Sequence, residues 1–283
     1  KMLGSGAYAT VYSFIEPLTN KKFAMKRLHK DIAGKELERF KLEFKKMNDI
    51  SNPYILKAYS YNENDNSYIM EYCDFTLRKY ILTNNSKDFM TFSHRKNIAL
   101  QFLRGLQYLH NKELLHRDVS FNNILLRVYD DNFVVVKISD FGLVKDLNID
   151  MTRTDSEIRG TIIDDTLTSF KDYNIKNEIY AIGVVLWFIF TGKTNLSIDD
   201  SNIGKIVNKC ITRNHSERFE NANEIIHSLM QAKEYVSDMS NTLTHNQSIK
   251  IDEINEKSGL NIDEKAFTIL RAMVEDNSNN QLY

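Results

Sequence analysis

Residues 116–142, HRDVSFNNILLRVYDDNFVVVKISDFG, carry the most specific pattern in the chain. Its polar residues include two carboxylates and one amide, on Asp118, Asn123 and Asp140. Apolar runs on either side of the Asp130-Asp131-Asn132 turn predict a small β-hairpin. Side-chain oxygens of this kind suit Mg²⁺, which prefers hard ligands and retains several waters. We therefore take this stretch as the first candidate for a chemical site.

Two weaker patterns precede this stretch in the chain. Gly4-Ser5-Gly6 predicts a glycine turn between two strands, and glycines let backbone N–H groups approach phosphate oxygens without a side-chain clash. Lys26 ends an apolar strand that begins at Lys22. Alone, the first pattern is equally typical of a simple hairpin and the second of a surface lysine. In this order, ahead of the stretch 116–142, they are strong evidence for one site.

The predicted secondary structure changes character near residue 72. Up to that residue we predict strands and one helix, at 1–12, 22–28, 35–50 (the helix), 55–61 and 67–72. Beyond it the pattern is helical, and Ser93 is a good N-cap for a helix running to about Asn111. Residues 143–177 are polar and weakly periodic, so we expect mainly an extended loop, with helices resuming at Glu178.

The order of these motifs resembles the catalytic domain of eukaryotic-type (Hanks-type) Ser/Thr protein kinases over roughly residues 1–229. The resemblance implies an α+β, two-lobed protein-kinase-like fold. An antiparallel β N-lobe with one helix would span 1–72, a mainly α-helical C-lobe 73–237, and a helical C-terminal extension 238–283. It also implies ATP and Mg²⁺ as cofactors and transfer of the γ-phosphoryl group to Ser or Thr hydroxyls of a protein substrate. The variant catalytic loop described below favours a bacterial member.

The resemblance assigns a role to each polar residue of the central stretch. Asp118 would be the catalytic base, or the group that orients the attacking hydroxyl. Asn123 would be catalytic by holding a magnesium ion, and Asp140 would bridge the metal ions and the phosphates. A lone Asp in a loop is usually a turn former. Because Asp118, Asn123 and Asp140 occur together at the spacing found in the family, a catalytic role is favoured over a role in turns.

Lys26 resembles the catalytic lysine that contacts the α- and β-phosphates. Its expected partner is Glu43, with Glu38 as the competing candidate, because the register to Asn52-Pro53 favours Glu43. Glu71 and Cys73 would bind the adenine edge through backbone groups. The other residues expected around the nucleotide lie on the glycine turn or beside the adenine ring: Gly4, Ser5, Gly6, Val11, Ala24, Met70 and Leu125.

The catalytic loop departs from the family pattern. Ser120 stands where Ser/Thr kinases usually carry a lysine, and Asn122 where many tyrosine kinases carry an arginine. The loop therefore lacks one source of transition-state charge stabilisation. We expect a slower enzyme, or one that another cation compensates.

A second departure follows Gly160-Thr161, where the family Ala-Pro-Glu is missing. Arg218 resembles the arginine that pairs with that glutamate, so its partner is left open between Asp164, Asp165 and none. Glu178 replaces the family aspartate that opens the following helix. The resemblance therefore says least about how a peptide substrate would dock. The threonine at 161 favours specificity for Ser/Thr over Tyr.

Arg117, directly before the proposed base, is typical of kinases that are switched by phosphorylation of the activation loop. A phosphate there would pair with the guanidinium and order the loop. Thr152, Thr154 and Ser156 are the candidate acceptors, and the enzyme itself is one candidate modifier.

Two other functions remain open from the sequence. A pseudokinase, an ATP-binding or scaffolding module without turnover, is supported by Ser120 and the missing Ala-Pro-Glu but opposed by Lys26, Asp118, Asn123 and Asp140. A small-molecule kinase of similar fold is opposed by Arg117 and the long loop 143–177, because small substrates do not need a peptide platform.

The bulk composition excludes several classes of partner. The 283 residues carry a net charge of −1, so we expect neither nucleic acid nor an acidic membrane as a partner. The apolar run Ile179–Phe190 is shorter than the roughly 20 residues that span a bilayer.

Cys73 and Cys210 lie far apart, which favours a reducing cytoplasm. Because Lys1 lies almost on the glycine turn, we expect further sequence upstream.

In the C-terminal segment 250–283, the spacing of apolar residues predicts two short helices around Ser258-Gly259. The segment faintly resembles a helix-turn-helix. Its acidic residues outnumber its basic ones: Asp252, Glu253, Glu256, Asp263, Glu264, Glu275 and Asp276 against Lys250, Lys257, Lys265 and Arg271. This balance argues against DNA binding and for a helical appendage that packs on the large lobe or docks a partner.

Overall fold

A computed structural model describes residues 1–140 and 162–233 of the chain. The first part is a five-stranded antiparallel sheet with the strand order β1-β2-β3-β5-β4. Its strands are β1 Met2–Ser5, β2 Ala9–Glu16, β3 Lys21–Leu28, β4 Ala58–Asn62 and β5 Ser67–Glu71. One helix, α1 at Lys35–Asp49, packs on this sheet, with the Phe40 ring centroid 5.0 Å from that of Tyr68.

The second part is mainly helical and contains a small sheet with the strand order β6-β7-β8. Its elements are β6 Phe75–Thr76, α2 Leu77–Asn84, α3 Phe92–His110, β7 Ile124–Val128, β8 Val134–Ile138, α4 Ile175–Thr191, α5 Asn202–Ile211 and α6 Ala222–Gln231. The two parts confirm the predicted α+β, two-lobed protein-kinase-like fold, and we call them the N-lobe and the C-lobe. The predicted phosphoacceptors Thr152, Thr154 and Ser156, and the predicted extension 238–283, lie outside the described residues.

Side-chain caps fix where two long helices begin. The hydroxyl of Thr91 accepts a hydrogen bond from the backbone N–H of His94 (3.2 Å), so the prediction of Ser93 as the cap of α3 was wrong. Ser is usually a somewhat better cap than Thr, so the sequence alone favoured Ser93 over a candidate only two residues away. Asn174 and Asn177 form a capping box, so α4 begins at Ile175, ahead of the predicted start at Glu178.

Helix α4 forms the centre of the C-lobe. Its apolar run includes Phe188, which is fully buried, and a helix that is apolar on all sides must be surrounded by other elements. At Gly183 an added Cβ would lie 2.5 Å from the Cβ of Cys210, so the glycine permits close packing of α5. The Phe121 ring lies 4.4 Å from the Phe188 ring, which anchors the loop that follows α3 on this buried helix.

The β7–β8 hairpin joins the two lobes. Its turn contains Asp131 and Asn132, both with left-handed backbone (φ 57° and 58°), a conformation that Asp and Asn tolerate better than most residues. The backbone N–H of Ile138 donates to the carbonyl of Tyr54 (2.8 Å), and the N–H of Leu56 donates to the carbonyl of Ile138 (2.9 Å). Strand β8 is therefore fixed to the segment that follows α1.

A buried ion pair replaces the missing Ala-Pro-Glu contact. Arg218 donates to both carboxylate oxygens of Asp164, and both side chains are fully buried. The same carboxylate accepts from the Thr166 hydroxyl (2.7 Å) and from the Asn177 amide (3.0 Å). Of the alternatives left open by the sequence, Asp164 is thus the partner of Arg218, whereas Asp165 pairs with the exposed Arg213 (3.0 Å).

Candidate active site

The residues predicted to bind the nucleotide surround one cavity of about 700 Å³ between the lobes. The predicted residues that line it are Gly4, Gly6, Val11, Ala24, Lys26, Glu43, Met70, Glu71, Cys73, Asp118, Asn123, Leu125 and Asp140. Ser5 is the exception among the predicted residues, because its hydroxyl is bonded to the Thr10 hydroxyl (2.9 Å) instead of lining the cavity. The structure therefore brings together residues from both lobes that are distant in sequence.

Lys26 and Glu43 form an ion pair inside this cavity. The Lys26 ammonium donates to both carboxylate oxygens of Glu43 (2.7 and 2.8 Å), and the Tyr68 hydroxyl donates to one of them (2.8 Å). The pair joins β3 to the buried face of α1 and is formed with Glu43, not with the competing Glu38. Burial by itself lowers the pKa of Lys26, but the carboxylates of Glu43 and Asp140 raise it above its ordinary value, so the ammonium stays charged.

The Asp118 loop is positioned by the neighbouring His116. The backbone N–H of Asp118 donates to Nδ1 of His116 (3.2 Å), so Nδ1 must be the unprotonated ring nitrogen. Nε2 then carries the proton and donates to the carbonyl of Ser139 (2.9 Å). Arg117 between them has a left-handed backbone (φ 65°), as does Asp140 (φ 66°). Strained residues of this kind cluster at functional sites, where the surrounding structure holds them in place.

Hydrogen bonds fix the orientation of the Asn123 side chain and backbone. Its amide nitrogen donates to the carbonyl of Asp118 (2.9 Å), which identifies Oδ1 as the atom that can accept. The backbone carbonyl of Asn123 receives the N–H (2.8 Å) and the hydroxyl (3.0 Å) of Ser139. Asn123 is thereby held beside the end of β8, where Asp140 follows.

The donor set of Asn123 and Asp140 fits a magnesium ion that a nucleotide would share. Mg²⁺ is usually held by one or two protein oxygens together with phosphates and waters, so a carboxylate and an amide are a sufficient protein contribution. Within residues 1–140 and 162–233, no three His, Cys, Asp or Glu side chains form a self-contained metal site.

Apolar side chains from both lobes form the part of the cavity next to the segment between the lobes. Val11 and Ala24 contribute from the N-lobe sheet and Leu125 from β7. The Glu71 carboxylate is bound to Lys137 (2.8 Å), so this residue would have to meet a nucleotide through its backbone. Burial raises the pKa of the Cys73 thiol to about 12, so the thiol stays protonated and uncharged at neutral pH.

A polar relay that the sequence did not reveal anchors the glycine turn. The Thr10 hydroxyl contacts both the Ser5 hydroxyl (2.9 Å) and Nε2 of His29 (3.0 Å). The backbone N–H of His29 donates to the carbonyl of Tyr8 (2.8 Å). These hydrogen bonds connect the turn to His29, the residue that follows the end of β3. Ser, Thr and His in this spacing have no distinctive sequence signature.

Ser120 has a structural role at the position of the missing lysine. It is buried, and its hydroxyl accepts a hydrogen bond from the backbone N–H of Asn123 (3.3 Å). Other cations line the cavity, among them Lys79 in the first turn of α2. Lys79 is exposed and lies 5.7 Å from the centre of the Phe75 ring, so a cation that compensates for the missing lysine stays a prediction.

Arg117 is packed inside the C-lobe. Its guanidinium donates to the carbonyl of Phe170 (2.7 Å) and lies 4.4 Å from the centre of the Phe170 ring. Tyr173 provides a second ring at 5.7 Å. A phosphate that binds this guanidinium would have to be accommodated next to these aromatic rings.

Glu178 stabilises the loop that carries Arg117 and Asp118. The fully buried carboxylate accepts hydrogen bonds from the backbone N–H of Arg117 (2.8 Å) and from Nε2 of His110 (2.9 Å). Burial by itself raises the pKa of Glu178, but the contacts with His110 and with the Arg117 N–H lower it below its ordinary value. The replacement of aspartate by glutamate therefore keeps a charged contact to this loop. In the sequence, this role was indicated only by Glu178 being the one acidic residue of a mostly apolar helix.

Comparison with known proteins agrees with this geometry. The chain matches the family described as Protein kinase domain over residues 1–280. A probable serine/threonine-protein kinase of Clostridium acetobutylicum is 27% identical over 267 residues, which are 83% of this chain and 40% of that protein. The serine/threonine-protein kinase PrkC of Bacillus subtilis is 26% identical over 200 residues, which are 68% of this chain and 30% of that protein.

The similarity extends to eukaryotic proteins. The serine/threonine-protein kinase pakH of Dictyostelium discoideum is 30% identical over 202 residues, which are 69% of this chain and 37% of that protein. The chain spans less than half the length of each of these relatives. Within the described parts of the chain, no helix is both long and apolar enough to cross a membrane.

Proposed function

Because this chain belongs to the protein kinase domain family, we propose that it transfers the γ-phosphoryl group of ATP to Ser or Thr hydroxyls of a protein. The observation that carries this proposal is the Lys26–Glu43 ion pair in the cavity that Asp118, Asn123 and Asp140 also line. A lysine that already has a carboxylate partner and retains its charge is prepared to bind an anion such as a phosphate.

Each polar residue of the cavity has a distinct task in this proposal. Lys26 binds the α- and β-phosphates, and Asp118 accepts the proton of the attacking hydroxyl or orients it. Asn123 and Asp140 would hold Mg²⁺, which when bound neutralises charge on the phosphates. Val11, Ala24, Met70 and Leu125 would enclose the adenine ring, with backbone groups of Glu71 and Cys73 at its edge.

The test is phosphate incorporation from labelled ATP into a generic protein substrate. We expect Asp118→Asn and Lys26→Ala to lose incorporation while keeping the wild-type circular dichroism spectrum. Asp130→Asn, an exposed carboxylate in the hairpin turn beyond β7, is the matched control and should behave as wild type. Incorporation by Asp118→Asn at the wild-type rate would contradict the proposal.

We also propose that the protein phosphorylates itself between residues 143 and 161. Thr152, Thr154 and Ser156 remain the candidate acceptors, and Arg117 the group that would bind the phosphate. Mass spectrometry of the wild-type protein purified beside Asp118→Asn would test this. Phosphate at these positions in both preparations would point to another kinase as its source.

A pseudokinase is the second candidate because one observation favours it. The Ser120 hydroxyl caps the loop at the position of the family lysine, so the cation closest to the γ-phosphate in relatives is replaced by a structural contact. In that case nucleotide binding would persist without turnover. A binding measurement with ATP and Mg²⁺, made beside the incorporation assay, separates the two functions.

We also propose domain boundaries and a cellular location. We place the N-lobe at 1–72, the C-lobe at 73–237 and a separate extension at 238–283. We also place the protein in the cytoplasm, where free thiols such as those of Cys73 and Cys210 stay reduced.

A further inference from the structure

A second cavity, of about 850 Å³, lies on the N-lobe and shares only Glu71 with the lining of the candidate active site. We call it the outer groove and define it by its five aromatic and three cationic side chains: Phe14, Phe23, Tyr59, Tyr72, Tyr129, Lys21, Lys22 and Arg127. It extends from the outer face of the five-stranded sheet across the segment between the lobes to β7. None of these residues takes part in the proposed phosphoryl transfer.

The register of the sheet assembles the aromatic floor of the groove. Phe14 pairs with Phe23 across β2 and β3, and their rings stack with centroids 6.0 Å apart. A β-bulge in β4 leaves Tyr59 without a register partner, and the Tyr59 ring meets the Phe23 ring edge-on at 5.8 Å. Bulges commonly redirect a side chain in this way. Tyr59 nevertheless remains 50% exposed, so this floor is open to a ligand.

The groove is positively charged because its three cations outnumber its two carboxylates. Glu16 accepts hydrogen bonds from the backbone of Leu18 (3.1 Å) and Thr19 (2.7 Å), and Glu71 pairs with Lys137. The three cations have no carboxylate partner in residues 1–140 and 162–233. Lys22 lies over the Tyr72 ring at 3.8 Å and Arg127 over the Tyr129 ring at 5.3 Å. Cations placed on aromatic faces keep their charge and still have N–H groups to donate.

We propose that the outer groove binds an acidic peptide segment of a partner protein, one that carries an aromatic or large apolar side chain between its carboxylates. The apolar side chain would pack on Phe23 and Tyr59. The carboxylates would pair with Lys21, Lys22 and Arg127, which surround this floor. Complementary charge of this kind directs encounter and fixes the register of a bound segment.

A peptide fits this groove better than a nucleic acid. Single-stranded nucleic acids bind by stacking bases on free aromatic faces. Here Lys22 covers Tyr72, Arg127 covers Tyr129, and Phe14 and Phe23 cover each other.

The experiment uses the full chain and a fluorescein-labelled peptide of sequence Asp-Asp-Glu-Phe-Asp-Glu-Glu, followed by fluorescence anisotropy. We expect saturable binding that weakens with added salt, as electrostatic pairing requires. The double variant Lys22→Glu/Arg127→Glu and the single variant Tyr59→Ser should each weaken binding about tenfold or more, since groups of this kind contribute most of the energy of small interfaces. Kinase activity toward a generic substrate should not change.

The controls separate this surface from general charge. Lys205→Glu on α5, an exposed lysine of the C-lobe, should bind the peptide as the wild type does. A peptide with Gly in place of Phe should bind more weakly, and a peptide with Lys in place of every acid should not bind.

Several outcomes would overturn the proposal. They are no saturable binding to the wild type, equal binding to the groove variants, or tighter binding of a twelve-nucleotide oligothymidine probe. A dimer of the wild type that Arg127→Glu dissociates would assign the groove to a second copy of the chain instead. Because the groove residues lie outside the candidate active site, failure here leaves the proposed phosphoryl transfer unaffected.

Discussion

Two buried ion pairs, one in each lobe, show how similar contacts can serve different purposes. Lys26 and Glu43 in the N-lobe retain 19% and 7% side-chain exposure and line an open cavity. Arg218 and Asp164 in the C-lobe have none, and Thr166 and Asn177 complete the bonding of the carboxylate. The first pair leaves its charge accessible to a ligand, whereas the second is fully satisfied within the protein. We therefore expect the first to matter for activity and the second for stability.

The largest effect should come from breaking the C-lobe pair. Asp164→Ala leaves the Arg218 guanidinium buried without its counter-charge, and such a loss costs about 3–5 kcal/mol of unfolding free energy. The measurement is chemical denaturation of the wild type and the variant. Asp165→Ala, which removes the exposed partner of Arg213, is the matched control and should cost less than about 1 kcal/mol. Similar losses for the two variants would remove the contrast between the pairs.

The next effect should come from the N-lobe pair and appear in catalysis. Lys26→Met removes the cation proposed to bind the phosphates, and loss of one such group lowers kcat by about 100- to 1000-fold. The melting temperature should change less than in Asp164→Ala, because Glu43 keeps its hydrogen bond from Tyr68 and burial already raises its pKa, so the carboxyl can take up a proton. Lys45→Met, an exposed lysine of the same lobe, is the control. Unchanged kcat in Lys26→Met would remove Lys26 from the mechanism.

A smaller effect should follow from cutting the relay on the glycine turn. Thr10→Val removes the hydroxyl that contacts Ser5 and His29, and one hydrogen bond contributes about 0.5–1.5 kcal/mol. The KM for ATP should rise a few-fold with kcat nearly unchanged, since the relay anchors the turn and touches no reacting atom. Thr10→Ser retains a hydroxyl and should restore the wild-type KM. An equal rise in both variants would contradict a role for the hydroxyl, because Thr10→Ser retains it.

The smallest effect should be a change in acid sensitivity. Burial by itself raises the pKa of Asp164, but hydrogen bonds from Arg218 and Thr166 lower it below its ordinary value of 3.8. Because the folded pKa is the lower one, this group stabilises the protein above pH 3.8 and loses its contribution as the pH falls through the folded pKa. The unfolding free energy of Asp164→Asn should therefore decline less steeply in acid than that of the wild type. Glu178 also has a lowered pKa, so some decline should remain.

The features that sequence predicted well are local or tied to chemistry. The glycine turn, the strand β3 that carries Lys26 and the β7–β8 hairpin each depend on residues that are neighbours in the chain. The Lys26–Glu43 contact spans two elements, but the register to Asn52-Pro53 had already selected Glu43. The predicted positions of Asp118, Asn123 and Asp140 around one cavity followed from the motif order.

The features that sequence did not settle depend on distant contacts. The partner of Arg218 could be chosen only when the fold brought Asp164 and Asn177 to the same buried place. The outer groove depends on a bulge at Tyr59 that no residue pattern in the sequence predicted. The relay from Ser5 to His29 joins common polar residues whose meeting depends on strand register.

The two ends of α1 are held very differently. Near its carboxyl end, the Lys57 ammonium donates to the carbonyls of Asn48 and Ile50, and the segment that follows is bonded to β8. At its amino end the helix begins after Gly34, without a side-chain cap. If this helix is displaced, we expect it to rotate about its carboxyl end, so that Glu36 moves further than Glu43. A small rotation at the fixed end is enough to separate Glu43 from Lys26 while the lobes themselves stay in place.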